Sequence, residues 1–146
     1  MVIGGESEWL PSARSQERGP LAGAKVLVVD DNLDASYLMA LVLEEAGATA
    51  TQTDSVASAL EILKTQAFTV LVSDISMPIA DGYELIRSIR ASASPSLRAM
   101  PAVAVTAVCT PADRCKVQAA GFQEYLPKPL NPKRLIEALQ RLTASR

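Results

Sequence analysis

The chain has 146 residues, of which 49% are hydrophobic, 4% aromatic and 21% charged, and its net charge is −2. This length suffices for one domain with a single large core, and the near-neutral charge gives no general attraction to nucleic acid or anionic membranes. No stretch approaches the roughly 18 continuous apolar residues of a membrane span, and the first residues lack a signal-peptide pattern. With no His, Cys109 and Cys115 are too few soft ligands for a zinc site. We therefore expect free thiols and a cytoplasmic location.

Residues 1–20 show no hydrophobic periodicity and carry Gly, Pro, Ser and mixed charges. This composition predicts a flexible linker or arm. We therefore place a single folded domain at residues 21–146.

The first predicted strand is the β-branched apolar run from Lys25 to Asp30. A helix is expected to follow from about residue 33 to residue 46. One row of that helix is apolar at Leu38, Leu41 and Val42. Residues 48–53 predict a second, less apolar strand near a sheet edge.

The next helix begins after Asp54 or Ser55, and its apolar face is regular at helical spacing. That face consists of Val56, Ala59, Leu60 and Leu63. Residues 69–74 form an apolar run that predicts a third strand, buried on both faces.

The second half of the chain repeats this pattern of strands and helices. Asp81 with Glu84 fits an N-terminal capping pattern, and residues 91–100 read as a polar loop. A fourth strand is predicted at 101–106 and a helix with a weak apolar face at 111–120, followed by a short strand at 124–126. Asn131 caps the last helix, whose buried face is predicted to comprise Leu135, Ile136, Leu139 and Leu142.

This alternation predicts a parallel sheet with helices on both faces. In such sheets, sites form beyond the carboxyl ends of the strands. Those ends carry Asp30, Asp31, Asp74, Thr106 and Lys128. Three close carboxylates repel one another unless a cation lies between them, and oxygen ligands without His or Cys favour Mg²⁺.

A carboxylate can itself accept a phosphoryl group as an aspartyl phosphate, with Lys and Thr as donors to the phosphoryl oxygens. Each residue alone has a simpler explanation. The aspartates could cap turns or helices, Thr106 could be an ordinary strand end, and Lys128 could be a solvated charge. Four strand ends with matching chemistry favour the phosphorylation site.

Four segments together resemble the receiver domain of bacterial response regulators: VLVVDDN (26–32), LVSDISMPIADGYEL (71–85), AVTA (104–107) and YLPKP (125–129). Their order and spacing match over about residues 24–143. The resemblance implies an α/β, flavodoxin-like (βα)₅ fold, which is a doubly wound five-stranded parallel sheet with strand order 2-1-3-4-5.

The resemblance also implies a role for each site residue. Asp74 would be the phosphoacceptor, taking a phosphoryl group from a histidine kinase or a histidine phosphotransfer protein. Asp31, Asp74 and the backbone carbonyl of Ser76 would bind Mg²⁺ directly, and Asp30 would act through a metal-bound water. Lys128 would bind the phosphoryl group. The domain would promote its own phosphorylation and dephosphorylation.

Further features implied by the family are a cis Lys128–Pro129 peptide bond and a switch. Thr106 would turn toward the phosphoryl oxygens and Tyr125 would swing inward, changing an output face formed by 111–120, 124–126 and 131–143. The simpler alternative for Tyr125 is half-buried packing with its hydroxyl in water.

Other protein classes remain as alternatives. A flavodoxin-type cofactor protein would need a Ser/Thr/Gly-rich phosphate loop after the first strand, and a haloacid-dehalogenase-type phosphatase would need Asp-x-Asp there. Asp30-Asp31-Asn32 fits neither. A pseudo-receiver that only binds proteins is the third alternative, and the complete residue set argues against it.

Residues 21–31 resemble the entry to receivers fused behind hybrid sensor histidine kinases, whose parent protein can be membrane-anchored. The downstream effector stays unidentified, and a weak homodimer is a further partner that this interpretation allows.

Overall fold

The computed structural model describes residues 19–75, 81–107 and 110–144. The predicted arm up to residue 18, Ser76 and Cys109 lie outside these ranges. The strands are β1 (Lys25–Val29), β2 (Thr49–Thr53), β3 (Val70–Asp74), β4 (Ala102–Thr106) and β5 (Glu124–Pro127). The main helices are α1 (Leu33–Glu45), α2 (Val56–Thr65), α3 (Gly82–Arg90), α4 (Pro111–Ala120) and α5 (Pro132–Ala144).

The five strands form one parallel sheet in the order β2-β1-β3-β4-β5. This is the predicted fold and strand order, and the less apolar β2 lies at the predicted edge. All residues of β3 and β4 are buried, because helices cover both faces of a doubly wound sheet. The carboxyl ends of β1, β3 and β4 therefore meet at one rim.

The sheet separates two apolar layers, since successive side chains of a strand point to opposite faces. Leu27 and Val29 of β1 contact the layer formed with α2, α3 and α4. Val26 and Val28 contact the layer formed with α1 and α5. The rim is thus supported on both sides by packed helices.

Side-chain caps fix the beginnings of four helices close to strand ends. The side-chain oxygens of Asn32, Ser55, Asp81 and Thr110 each accept the backbone N–H three residues later. At Thr110 the cap is reciprocal, because Asp113 also accepts the Thr110 N–H. Such a cap contributes typically about 1 kcal/mol, and it sets where each helix leaves the rim.

Of the three residues in the predicted apolar row of α1, only Val42 packs against the core. Leu38 and Leu41 are 62% and 37% exposed, and the buried row is Ser36, Met39, Ala40 and Leu43. Both rows have helical spacing, but Ser36 and Ala40 are small and let α1 approach the sheet closely. The Ser36 hydroxyl also donates to the Gln52 side chain of β2 at 3.0 Å. The predicted apolar faces of α2 and α5 do pack against the core.

The loop predicted at 91–100 contains a single helical turn at Pro95–Arg98. Arg90 anchors this loop from the end of α3. Its guanidinium donates to the carbonyls of Arg98, Met100 and Gly121 at 2.6–3.0 Å and to the Gln123 side chain at 3.1 Å. Burial lowers the pKa of Arg90 from its ordinary value.

The segment before β1 is part of the packed structure. Leu21 is 2% exposed and its N–H donates to the Ala46 carbonyl at 2.8 Å. The division between an arm and a domain at residue 20 stays a prediction, because residues 1–18 are outside the described ranges. Among the helices of those ranges, none is long and apolar enough to span a membrane.

Candidate functional site

Asp30 and Asp31 follow β1 directly and differ in environment. Asp30 is fully buried, whereas Asp31 is exposed. The Asp30 N–H donates to the Thr53 carbonyl of β2 at 3.1 Å, which extends the pairing beyond β1. Its Oδ1 accepts the Asn32 N–H at 2.9 Å. The backbone therefore holds Asp30 inside the rim.

Asp74 is the last residue of β3 and is 4% exposed. The start of α3 lies directly against it. A Cβ on Gly82 would lie 2.7 Å from the Asp74 carbonyl oxygen and 2.8 Å from the Ile75 Cα. Both atoms belong to the backbone, so Gly82 is required for this close approach. The third predicted metal ligand of this region, the Ser76 carbonyl, lies outside the described residues.

Lys128 extends its ammonium toward both buried aspartates. Its Nζ is 3.3 Å from Asp74 Oδ2 and 3.6 Å from Asp30 Oδ2. The Lys128 N–H donates to the Thr106 carbonyl at 2.8 Å, and the Lys128–Pro129 peptide bond is cis. The sheet thus brings together Asp30, Asp74 and Lys128, which are far apart in the sequence.

The electrostatics of this rim favour a bound cation. Asp30, Asp31 and Asp74 each place a carboxylate oxygen within 4.8 Å of the others, and the Lys128 ammonium forms ion pairs with two of them, Asp30 and Asp74. Burial raises the pKa of Asp30 above its ordinary 3.8, and the charges of Asp74 and Asp31 raise it further. The Asn32 N–H and Lys128 oppose this shift.

One carboxylate oxygen of Asp30 accepts no hydrogen bond from the described residues. Asp30 Oδ2 is buried, and among the described residues no group donates a hydrogen bond to it. The 3.6 Å contact with Lys128 is an ion pair rather than a hydrogen bond. A buried carboxylate oxygen in an all-oxygen cluster suits a hard divalent cation that keeps its own waters, as Mg²⁺ does. The residues present therefore fit the predicted metal.

Thr106 and Tyr125 lie on the neighbouring strands. Thr106 is the last residue of β4 and is 1% exposed, and β4 pairs with β3 so that Asp74 lies opposite Val105. Tyr125 lies opposite Ala104 in β5, and its ring packs against the α2/α3/α4 layer. The Tyr125 hydroxyl is buried. The alternative that leaves this hydroxyl in water was therefore wrong.

An exposed apolar surface beside the rim was missed by the sequence interpretation. Four large exposed apolar side chains of the described residues lie on α1: Leu33, Tyr37, Leu38 and Leu41. Leu38 also lines a groove of about 390 Å³ between α1 and the segment Pro129–Pro132, and the groove reaches Asp30 and Lys128. The signal was present, because α1 carries more apolar residues than one helix face can bury.

Comparison with known sequences gives one family for most of the chain. Residues 26–140 match the model of the response regulator receiver domain. A 14.6 kDa protein from the sodA1 3′ region of Leptolyngbya boryana is 39% identical over 120 residues, which are 82% of this chain and 90% of that protein. The sensor protein GacS of Pseudomonas syringae pv. syringae is 28% identical over 137 residues, which are 91% of this chain but 15% of GacS.

Solved structures with the same fold include two receivers. The receiver domain of the Francisella response regulator 1452 is 26% identical with a TM-score of 0.77, over 84% of this chain and 98% of that one. The chemotaxis response regulator CheY4 of Vibrio cholerae is 29% identical with a TM-score of 0.75, over 82% and 98%.

Proposed function

Since the chain belongs to the response regulator receiver family of two-component signalling, we propose that Asp74 accepts a phosphoryl group from a phosphohistidine donor in a Mg²⁺-dependent reaction. The observation that carries this proposal is the position of Asp74, which lies at the rim within 3.3 Å of Lys128 and in a cluster of three carboxylates. An aspartate that only caps a turn or helix would not need the half-buried ammonium of Lys128 as a partner.

The chemistry follows from the residues at the rim. A carboxylate oxygen of Asp74 attacks the phosphorus, the P–N bond to the donor imidazole breaks, and the imidazole takes up a proton from water. Lys128 is close enough to Asp74 to donate to a phosphoryl oxygen of the product. Asp31, Asp74 and the Ser76 carbonyl would hold Mg²⁺, with Asp30 acting through water. When bound, Mg²⁺ supplies positive charge that offsets repulsion between the carboxylates and the phosphoryl oxygens.

The switch is part of the same proposal. Thr106 lies at the end of the strand next to Asp74, so its hydroxyl is suited to follow the phosphoryl oxygens. A dianion at the rim adds charge-assisted hydrogen bonds that bias a two-state element. Tyr125 and the surface of α4, β5 and α5 are then the readout.

Labelling with radioactive acetyl phosphate tests the phosphoacceptor. We expect Mg²⁺-dependent label that hydroxylamine removes, no label in EDTA, and no label in Asp74→Asn. Asp54→Asn removes an exposed carboxyl that is not in the cluster and should label at the wild-type rate. Label in Asp74→Asn at the wild-type rate would refute the assignment. A folded wild-type protein that takes up no label would instead favour the pseudo-receiver alternative.

The donor protein is a second part of the proposal. A phosphohistidine must come within bonding distance of Asp74, so the donor surface has to cover the rim. The exposed apolar side chains of α1 and the groove beside Lys128 suit the apolar face of a donor helix.

This docking surface can be tested separately from the chemistry. Leu38→Ser should slow phosphoryl transfer from a histidine kinase or phosphotransfer protein by about tenfold. The rate with acetyl phosphate should stay unchanged, because that small donor needs no docking. Glu61→Gln on α2 serves as a surface control. An equal loss with both donors would indicate damage to the site rather than to docking.

The kind of protein in which this receiver works is also a proposal. The similarity to GacS supports a receiver that works together with a hybrid sensor kinase, whereas the Leptolyngbya boryana relative is nearly covered by this chain and supports a stand-alone receiver. The complete coding sequence decides between a hybrid kinase and a stand-alone receiver, because only a hybrid kinase would encode an ATP-binding kinase domain upstream.

A further inference from the structure

Helix α4 is attached to the domain by an unusual set of contacts. Val117 is its one buried residue. Two of its cations lie over tyrosine rings instead. Lys116 Nζ is 4.8 Å from the ring centroid of Tyr83, and Arg114 Cζ is 5.5 Å from that of Tyr125. Both distances are within the range of cation–π attraction.

The Arg114 contact lies at the residue that the proposed switch needs to move. The Tyr125 ring is half-buried against the core and its hydroxyl is buried. Arg114 is exposed, and its guanidinium lies over the Tyr125 ring. Outward rotation of Tyr125 would have to break this contact or displace the Arg114 side chain.

We infer that Arg114 is a positioning residue that holds Tyr125 in the orientation with its hydroxyl buried. Nothing in the chemistry of phosphoryl transfer requires an arginine at this point, since Arg114 lies on α4 and not among the rim residues. Its attraction to the electron-rich face of the ring favours the inward orientation over an outward one. Because Arg114 is on the surface, the orientation of Tyr125 in turn fixes where α4 displays this charge.

The size of the effect follows from the nature of the contact. A cation–π pair at an exposed site changes a two-state population ratio by about two- to fivefold. A bias of this size is enough to set the balance of a switch whose two states are close in free energy, without locking either state.

The consequence for signalling rests on the proposed function. If inward Tyr125 accompanies the state that accepts phosphoryl, Arg114 favours that state before any phosphoryl arrives. Loss of Arg114 should then slow labelling by acetyl phosphate by about two- to fivefold. The position of Tyr125 itself does not depend on phosphorylation and can be measured in its absence.

The test uses the full chain carrying isotope-labelled tyrosine, without phosphodonor. The side-chain couplings that report the χ1 rotamer of Tyr125 are measured by NMR in wild type and in Arg114→Met, which keeps an aliphatic side chain but removes the charge. We expect the outward-to-inward ratio to rise about two- to fivefold. Arg114→Lys, which keeps a cation, should restore most of the wild-type ratio.

Two further tyrosines and a second cation provide internal controls. Lys116→Met removes the matching contact on Tyr83 and should leave the Tyr125 rotamer ratio unchanged, and Tyr37 is exposed on α1 and should not respond to either change. An unchanged Tyr125 ratio in Arg114→Met would overturn the inference. A changed ratio with an unchanged labelling rate would overturn its link to Asp74. Absence of label in the wild type would refute the proposed function and leave the rotamer result standing.

Discussion

Removal of the Asp30 charge should stabilise the metal-free protein while weakening Mg²⁺ binding. Asp30 is fully buried, and its ionised form lies no more than 4.8 Å from carboxylate oxygens of Asp74 and Asp31. At an effective dielectric constant of about 20, one such repulsion is at least about 3.5 kcal/mol. Attraction to Lys128 at 3.6 Å is about 4.6 kcal/mol on the same scale. The attraction to Lys128 therefore offsets most or all of the repulsion from Asp74. The burial of the Asp30 charge and the screened repulsion from exposed Asp31 remain as the destabilising contributions.

We therefore expect Asp30→Asn to raise the free energy of unfolding by about 1–2 kcal/mol in EDTA. The asparagine oxygen can still accept the Asn32 N–H, so the local backbone is kept. Urea unfolding followed by far-UV circular dichroism is the assay, because the helices and the sheet give a signal that is lost on unfolding. In saturating Mg²⁺ the wild type should gain more stability than the variant, since binding to the folded state alone stabilises it.

The pH dependence gives an independent check of the cause. Burial raises the folded-state pKa of Asp30 above its ordinary 3.8, so the folded protein holds a proton that the unfolded chain releases. Stability from this group is therefore fully present below pH 3.8 and is lost as pH rises through the folded pKa. The advantage of Asp30→Asn should vanish toward pH 3.8 and grow toward neutrality.

The control is Asp54→Asn, which removes an exposed carboxyl outside the cluster and should change stability by less than about 0.5 kcal/mol. A variant Asp30→Asn that is no more stable than the wild type in EDTA would refute the reasoning. So would a gain of the same size at acid and neutral pH.

Three further substitutions test the packing at Asp74, the anchoring by Arg90 and the role of Lys128. Gly82→Ala should destabilise the protein by about 1–3 kcal/mol and weaken Mg²⁺ binding, because the new methyl group would displace the backbone at Asp74. Calorimetric titration with Mg²⁺ measures the affinity, and an unaltered affinity would contradict this prediction. Arg90→Met should lower the free energy of unfolding by about 3–5 kcal/mol, since several carbonyls lose a charged donor. A loss below about 1 kcal/mol in urea unfolding would be incompatible with the observed contacts. Lys128→Ala should leave the fold intact, but phosphorylation should no longer change the 111–126 surface. Amide NMR spectra with and without acetyl phosphate measure that change. A change as large as in the wild type would exclude a role for Lys128 in coupling the two.

Much of the fold was determined by local sequence. The apolar runs before Asp30 and Asp74 and the caps at Asp81 and Asn131 depend on residues only a few positions apart. Periodicity and capping rules therefore find them. The alternation of strand and helix then leaves few arrangements for a parallel sheet. The site residues could be named for the same reason, because the carboxyl ends of parallel strands meet at one rim.

Other features depended on which surfaces meet, and sequence patterns do not encode that choice uniquely. Two rows of α1 have helical spacing, and only contact with the sheet selected the one with Ser36 and Ala40. Asp30 and Asp31 are chemically equivalent in the sequence, yet the backbone bond to Thr53 buries the first and leaves the second exposed. Arg114 and Tyr125 are eleven positions apart on different elements, and only the packing of α4 beside β5 places the cation over the ring. Local sequence determined the elements and their order, while tertiary packing decided burial, and burial sets the charge balance of the site.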